Sequence, residues 1–293
     1  MSFDKLRVGF FLFALLTANR AHAQFYESGT EPSSVRWQQI HTEHFRVIFP
    51  KGASPDGQRA ANVLEYIYQA EGKSLENYPA KIPVVLHNRT AFSNGFVSWA
   101  PKRSEWFLTP PQDNYTHCWL DQLALHEFRH VVQIDKLNQG LTRALGFAVG
   151  QQAVGAVAGM LPPWFLEGDA VATETALTNA GRGRIPAFEM PLRTIALSGK
   201  YHNYDKALFG SYRDHVPNHY EMGYQMVGWI REQYGTKPFE TSVNTVARKP
   251  YLFPFYPFKL YQKRNRQLYR TAVSKCLYQF DRQMERTGIE NRL

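Results

Sequence analysis

Cysteine is scarce. Cys118 and Cys276 are the only two in 293 residues, so a disulfide-dense scaffold is excluded and at most one bridge is available. An oxidising compartment permits a Cys118–Cys276 pair, but their spacing alone does not establish it. No cysteine stands near the N-terminal small-residue pattern Ala21-His22-Ala23, which argues against a lipid anchor. Long uninterrupted apolar runs are also missing. Val8 to Ala18 is too short to span a bilayer and is closed by Asn19-Arg20. There is no internal repeat and no low-complexity tract, which excludes a repeat array.

Lys5 and Arg7, the apolar stretch Val8–Ala18 and the Ala-x-Ala pattern together read as a signal peptide over residues 1–23. Cleavage there starts the mature chain at Gln24 and places it in the periplasm, the cell envelope or the medium. The mature chain then has 293 − 23 = 270 residues, enough for one large domain or two intimate lobes. Its 44% hydrophobic and 14% aromatic content argues for a folded globule. Acidic residues are outnumbered: 34 Lys+Arg against 25 Asp+Glu give +9. Removing Lys5, Arg7, Arg20 and Asp4 leaves +7. In an exported chain that excess suits anionic lipid, cell-wall polymer or an acidic substrate better than nucleic acid, or is simply a basic soluble surface.

The pattern is mixed αβ over residues 24–111 and mainly helical over 112–293. Trp37–Phe49 reads as one or two strands, Gly57–Asn77 as a helix, Ile82–Leu86 as a strand, and Gly95–Leu108 as a strand or hairpin broken at Pro101–Arg103. Helices are expected over Thr116–Leu137, after Pro162-Pro163, over Tyr220–Tyr234 and over Gln262–Glu285. Ala144–Leu161 is rich in Gly and Ala, with Gly146/Gly150 and Gly155/Gly159 each four apart. It reads as a buried helical hairpin, with membrane apposition as the alternative. The aromatic, Pro-broken Tyr251–Phe258 reads as a packed loop.

The chemistry is concentrated in His126-Glu127-Phe128-Arg129-His130. On a helix, positions four apart differ by about 40°, so the two imidazoles leave one face, one turn apart, as joint ligands must. Glu127 is offset by about 100°, beside such a metal but outside its ligand set, where it can accept a proton from the attacking water. The competing reading is a pair of packed helix histidines. Glu167, one turn past Pro162-Pro163, supplies a third ligand from a second helix and leaves a position for water. Glu174, two turns further along the same face, can accept a free ring N–H and fix a tautomer. Asp169 is the weaker candidate for that role. Against these stand a dipole-favoured carboxylate at Glu167 and an exposed helix glutamate at Glu174.

HExxH followed by Trp164-x-x-Glu167-Gly168-x-Ala170-x-x-x-Glu174 resembles the gluzincin zinc peptidases, the group of thermolysin and the zinc aminopeptidases of the membrane alanyl type. The resemblance implies an α+β, thermolysin-like catalytic domain, with an N-terminal sheet lobe (24–111) and a C-terminal helical lobe (112–293). It implies Zn2+ on His126, His130 and Glu167. Tyr220-Glu221-Met222-Gly223 is similar to the Tyr-x-x-Gly of those aminopeptidases, which implies that Tyr220 stabilises the oxyanion; Tyr224, His215 and His219 are the other donors within reach. The chain from Trp37 onward also resembles the N-terminal peptidase-like domain of exported bacterial proteins that continue into a TolB-like β-propeller, and it ends where the propeller begins in them. Two departures matter. The Gly-Ala-Met-Glu-Asn strand that grips a free amino terminus has no counterpart upstream of His126, which favours internal cleavage. The 36 residues between His130 and Glu167 exceed the spacing of those enzymes by the Gly/Ala-rich segment.

The expectation is therefore an exported zinc metallopeptidase acting on protein or peptide. Gly95–Trp99 would be the edge along which an extended peptide pairs. The rival is a catalytically silent metallopeptidase fold kept as a binding or scaffold module of an envelope complex, associated with partners or the membrane surface.

Overall fold

The computed structural model describes residues 31–112, 117–199 and 202–252, together with Gln267, Arg270 and Thr271. The signal segment, Cys276, most of Tyr251–Phe258, and Gln262–Glu285 apart from those three residues lie outside this set. Residues Arg36–Leu293 form a single unit, and all five strands of the described residues precede Leu108.

Alternation builds the sheet. In β2 (Phe45–Pro50), Phe45, Val47 and Phe49 are buried while Arg46 is exposed. In β3 (Ile82–His87), Ile82, Val84 and Leu86 are buried in the same way. Period-two patterning of this kind turns one sheet face into a core. β1 (Trp37–His41) pairs antiparallel with β2, β2 and β3 are parallel, β3 and β5 (Lys102–Phe107) are parallel, and β4 (Gly95–Trp99) closes the sheet antiparallel to β5. The order is β1-β2-β3-β5-β4, so β4 is an edge strand. The fold is α+β with a mixed sheet.

The parallel β2–β3 pair needs a crossover, and α1 (Ser54–Lys73) supplies it. A proline opens this helix, and Ala60, Ala61, Leu64, Ile67 and Tyr68 form its buried stripe. Next to it lies α2 (Trp119–Lys136), buried almost all round between α1, the edge strand and α5 (Pro163–Leu177). The remaining helices among the described residues are α3 (Gly140–Val149), α4 (Gln152–Ala158), α6 (Pro186–Ser198), α7 (Tyr204–Phe209), α8 (His219–Tyr234) and α9 (Lys237–Arg248). Asn218 caps α8 through a reciprocal capping box with Glu221. The most extensive helix–helix packing is α5 against α8.

The Gly/Ala-rich segment departs from expectation. It does form two short helices, but only α4 is buried, through Ala153, Val154, Val157 and Ala158. In α3 the single buried residue is Thr142, and Leu141, Leu145, Phe147 and Val149 are exposed. The glycines do not mark the contact between the two helices: a Cβ on Gly146 would meet nothing within 4 Å, and one on Gly155 would meet Trp99. Cys118 is an exposed free thiol at the N-cap of α2.

Candidate functional site

The two histidines sit mid-helix in α2, one turn apart, with ring centroids 4.8 Å from each other. Their Nε2 atoms are 3.2 Å apart. Glu167, one turn into α5, brings Oε2 to 3.0 Å from His126 Nε2 and 3.1 Å from His130 Nε2. The three ligand-type atoms thus form a nearly equilateral triangle. Its edges are close to the roughly 3.3 Å that separates two ligands of a tetrahedral ion held at about 2.0 Å. His126 and His130 are buried or nearly so, and these three residues form a group able to hold a metal ion. The donor set, two imidazole nitrogens and one carboxylate oxygen, is one that zinc accepts.

Glu167 on α5 and Tyr220 on α8 reach one cleft because these two helices cross on glycine. A Cβ on Gly168 would lie 2.2 Å from the Gly223 backbone, and one on Gly223 would lie 2.3 Å from the Trp164 carbonyl. Only hydrogen fits at either position. Gly168 follows Glu167, and Gly223 lies three residues after Tyr220, so the crossing that fixes one fixes the other. Tyr220 faces the same cleft, its ring centroid 6.1 Å from that of His126.

The far side of each imidazole has an acceptor. Glu174 Oε2 is 3.1 Å from His126 Nδ1, and Gln133 Oε1 is 2.8 Å from His130 Nδ1. With a cation on the Nε2 side, the His130 ring keeps its proton on Nδ1, where the Gln133 oxygen stands; at His126 Nδ1 the Glu174 carboxylate shares the position with the Arg182 guanidinium, whose Nη2 is 2.5 Å away. Glu174 is fully buried and heavily solvated by protein. Gln122 donates to it at 2.7 Å, and Arg182 donates from Nε at 2.8 Å and from its backbone N–H at 3.1 Å. Gln133 in turn donates to the Leu166 carbonyl at 2.9 Å and to Asp169 at 2.7 Å. Asp169 therefore supports His130 through Gln133 and does not touch either ring. Its other partners are Arg129, at 2.6 Å, and Arg231.

No protein-family model matches this chain, and no curated protein matches it.

Charge follows the geometry. Burial penalises the Glu167 carboxylate, but the charge of His130 and hydrogen bonds from both imidazoles overcome that and hold it far below the usual carboxylate range. Burial also opposes a charged His130; the charge and hydrogen bond of Glu167 outweigh it and raise the ring to about 9. Glu174 is likewise held low: burial works against its charge, and Arg182 and His126 prevail. Glu127 behaves oppositely. Burial pushes its carboxyl up, and the nearby histidines only moderate the rise.

His126, Glu127, His130 and Glu167 line a cleft of about 630 Å³ bounded by β4, α2, α5 and α8, with Glu174 buried behind it. Glu127 lies in its wall, and a Cβ on Gly95 would come within 2.8 Å of the Glu127 side chain. The edge strand thus runs directly over Glu127 only because residue 95 is glycine. Sequence reading did not find Gln133 or a role for Arg182. Gln133 was visible as the residue three past His130 on the same helix. Arg182 comes from a short 3₁₀ turn (Arg182–Arg184) whose course no spacing reveals, and its guanidinium lies 5.1 Å from the Tyr220 ring centroid. Of the other oxyanion donors considered, Tyr224 points to the Gly183 carbonyl at 3.5 Å, and neither His215 nor His219 lines the cleft.

Proposed function

We propose that this protein is a zinc-dependent peptidase of gluzincin type with a thermolysin-like catalytic domain, exported and acting on internal peptide bonds. The observation that carries the reading is the convergence of His126, His130 and Glu167, each ligand atom within 3.2 Å of the other two, in a cleft that also holds Glu127 and Tyr220.

Zinc, when bound, supplies a Lewis acid that polarises the attacking water and the scissile carbonyl. The protein's own residues do the rest. Glu127, with a carboxyl raised by burial, accepts the proton of the attacking water and returns one to the leaving amine. Tyr220 donates its phenolic hydrogen to the developing oxyanion, an interaction stronger in the transition state than in the ground state. Glu174 and Gln133 keep both rings aimed. As the edge strand of the sheet among the described residues, β4 suits an extended segment passing through the cleft better than a held terminus.

Casein or peptide cleavage with and without chelator, combined with metal analysis, tests this. One equivalent of zinc and chelator-sensitive cleavage is the expected result. Absence of bound metal sinks the proposal. Stoichiometric metal with no cleavage of any protein or peptide would leave the scaffold role in its place.

A further inference from the structure

Helix α3 is built inside out. Leu141, Ala144, Leu145 and Ala148 recur at the i, i+3, i+4, i+7 spacing that faces a core in globular proteins, yet all four are exposed. Phe147 is 83% and Val149 60% exposed. The one residue turned inward is polar: Thr142 donates to the Ala247 carbonyl at 2.7 Å. An apolar stripe left in water needs an occupant.

Charge indicates which one. From Lys136 to Leu166 the chain has no Asp or Glu, and Lys136 and Arg143 are its only cations. Arg143 is exposed on α3 itself. Arg248 and Lys249, also exposed, follow Ala247, and Arg248 packs against Gly140 at the start of α3. Beside Phe147 runs a groove of about 320 Å³ lined by Trp99, Lys102, Arg143 and Val154. Within that groove Lys102 is paired with Asp135 at 2.7 Å, so the cations that count are the exposed Arg143, Arg248 and Lys249. Apolar side chains flanked by these three match a surface of anionic headgroups over acyl chains. A helix of ten residues is about 15 Å long. It offers far less than the roughly 800 Å² per partner that a standard protein interface buries, so a folded partner or a second copy has little to hold. None of the described helices is long and apolar enough to cross a membrane, so the helix would lie on the surface.

We propose that α3 docks this protein on an anionic bilayer surface, with Leu145, Phe147 and Val149 in the interfacial zone and Arg143 and Arg248 among the headgroup phosphates. The inference does not rest on the chemistry at His126. Because α4 joins α3 to both α2 and β4, docking would bring the cleft to substrates held at that surface.

The test uses the full chain with Cys118→Ser, Cys276→Ser and Phe147→Cys, carrying an environment-sensitive dye at residue 147. Phosphatidylglycerol-containing vesicles should shift the emission to the blue. Pure phosphatidylcholine vesicles, or high salt, should weaken the response about tenfold or more. Leu145→Ser with Val149→Ser should lower the vesicle partition coefficient roughly tenfold or more. Both residues are exposed, so circular dichroism should stay unchanged. A tether elsewhere in the chain would bring vesicle and protein together without moving this dye. Emission indifferent to anionic vesicles overturns the proposal. So does a blue shift that follows protein concentration without lipid, which would assign the face to a second copy.

Discussion

At the residue scale, Glu127, Glu174 and Glu71 are three carboxyls buried for different reasons, and each gives a different test. Glu127→Gln keeps the shape but removes the proton acceptor. Cleavage should fall by about 10²–10⁴-fold with zinc content unchanged; undiminished activity or lost zinc would contradict its role. Glu174→Gln and Gln133→Leu should each weaken zinc binding by about 10–100-fold, read by competition with a chromogenic chelator. Glu71 lies outside the cleft. It is fully buried, and neither carboxyl oxygen accepts a hydrogen bond from the described residues. Arg129 donates instead to the Glu71 backbone carbonyl at 2.6 Å. Burial raises the Glu71 carboxyl from 4.5 to about 8; Arg129 opposes the rise and Asp169 adds to it. The folded state therefore binds this proton more tightly than the unfolded chain does. Stability from the site is complete below about pH 4.5 and is lost as pH rises through about 8. Glu71→Gln should flatten that decline, by an amount on the order of a few kcal/mol at most. Thermal melts of both proteins from acid to mildly alkaline pH would show it. Parallel curves would mean that Glu71 is not neutral in the fold.

At the scale of elements, the glycine crossing of α5 and α8 is the feature on which the site's geometry turns. Gly168→Ala or Gly223→Ala puts a methyl into backbone 2.2–2.3 Å away. Each should destabilise by about 1–3 kcal/mol and loosen zinc binding together with cleavage, since Glu167 and Tyr220 ride on the two helices. Loss of stability without loss of zinc affinity would separate the crossing from the site. Much of this was legible in the sequence. The HExxH spacing, the prolines before α5 and the Tyr-x-x-Gly at the start of α8 each carry a local rule that survives folding. The strands were legible because Phe45, Val47 and Phe49 alternate against exposed neighbours. What escaped obeys no local rule. α9 is full of Thr and Val, poor helix formers, and owes its helix to Phe239, Val243 and Ala247 meeting the core. α6 carries Pro191 in its interior. Arg182 reaches Glu174 only through the path of a turn. The exposure of α3 was hidden because glycine and alanine spacing says that helices can approach, not which of them water will keep.

At the scale of the molecule, the proposed metal site would tie together α2 and α5, two elements that the chain itself joins only by a long detour. A metal bound to the folded form alone stabilises it by mass action, about 2.7 kcal/mol at a hundredfold excess over Kd. For a unit of this size that is roughly 5–10 °C in Tm. Chelator should lower the melting temperature by that amount and zinc should restore it; a melt insensitive to both would mean that no cation bridges the helices.

The detour has a consequence of its own. Between His130 and Glu167 the path leaves the interior, turns at Gly150 with a φ of +76°, and is pinned where Gln151 accepts from the Lys102 backbone N–H at 2.9 Å. Everything outboard of that pin is scaffolding hung on the outside of the machine. That segment can be trimmed, lengthened or replaced, and the surface the protein presents changed, without relocating His126, His130 or Glu167.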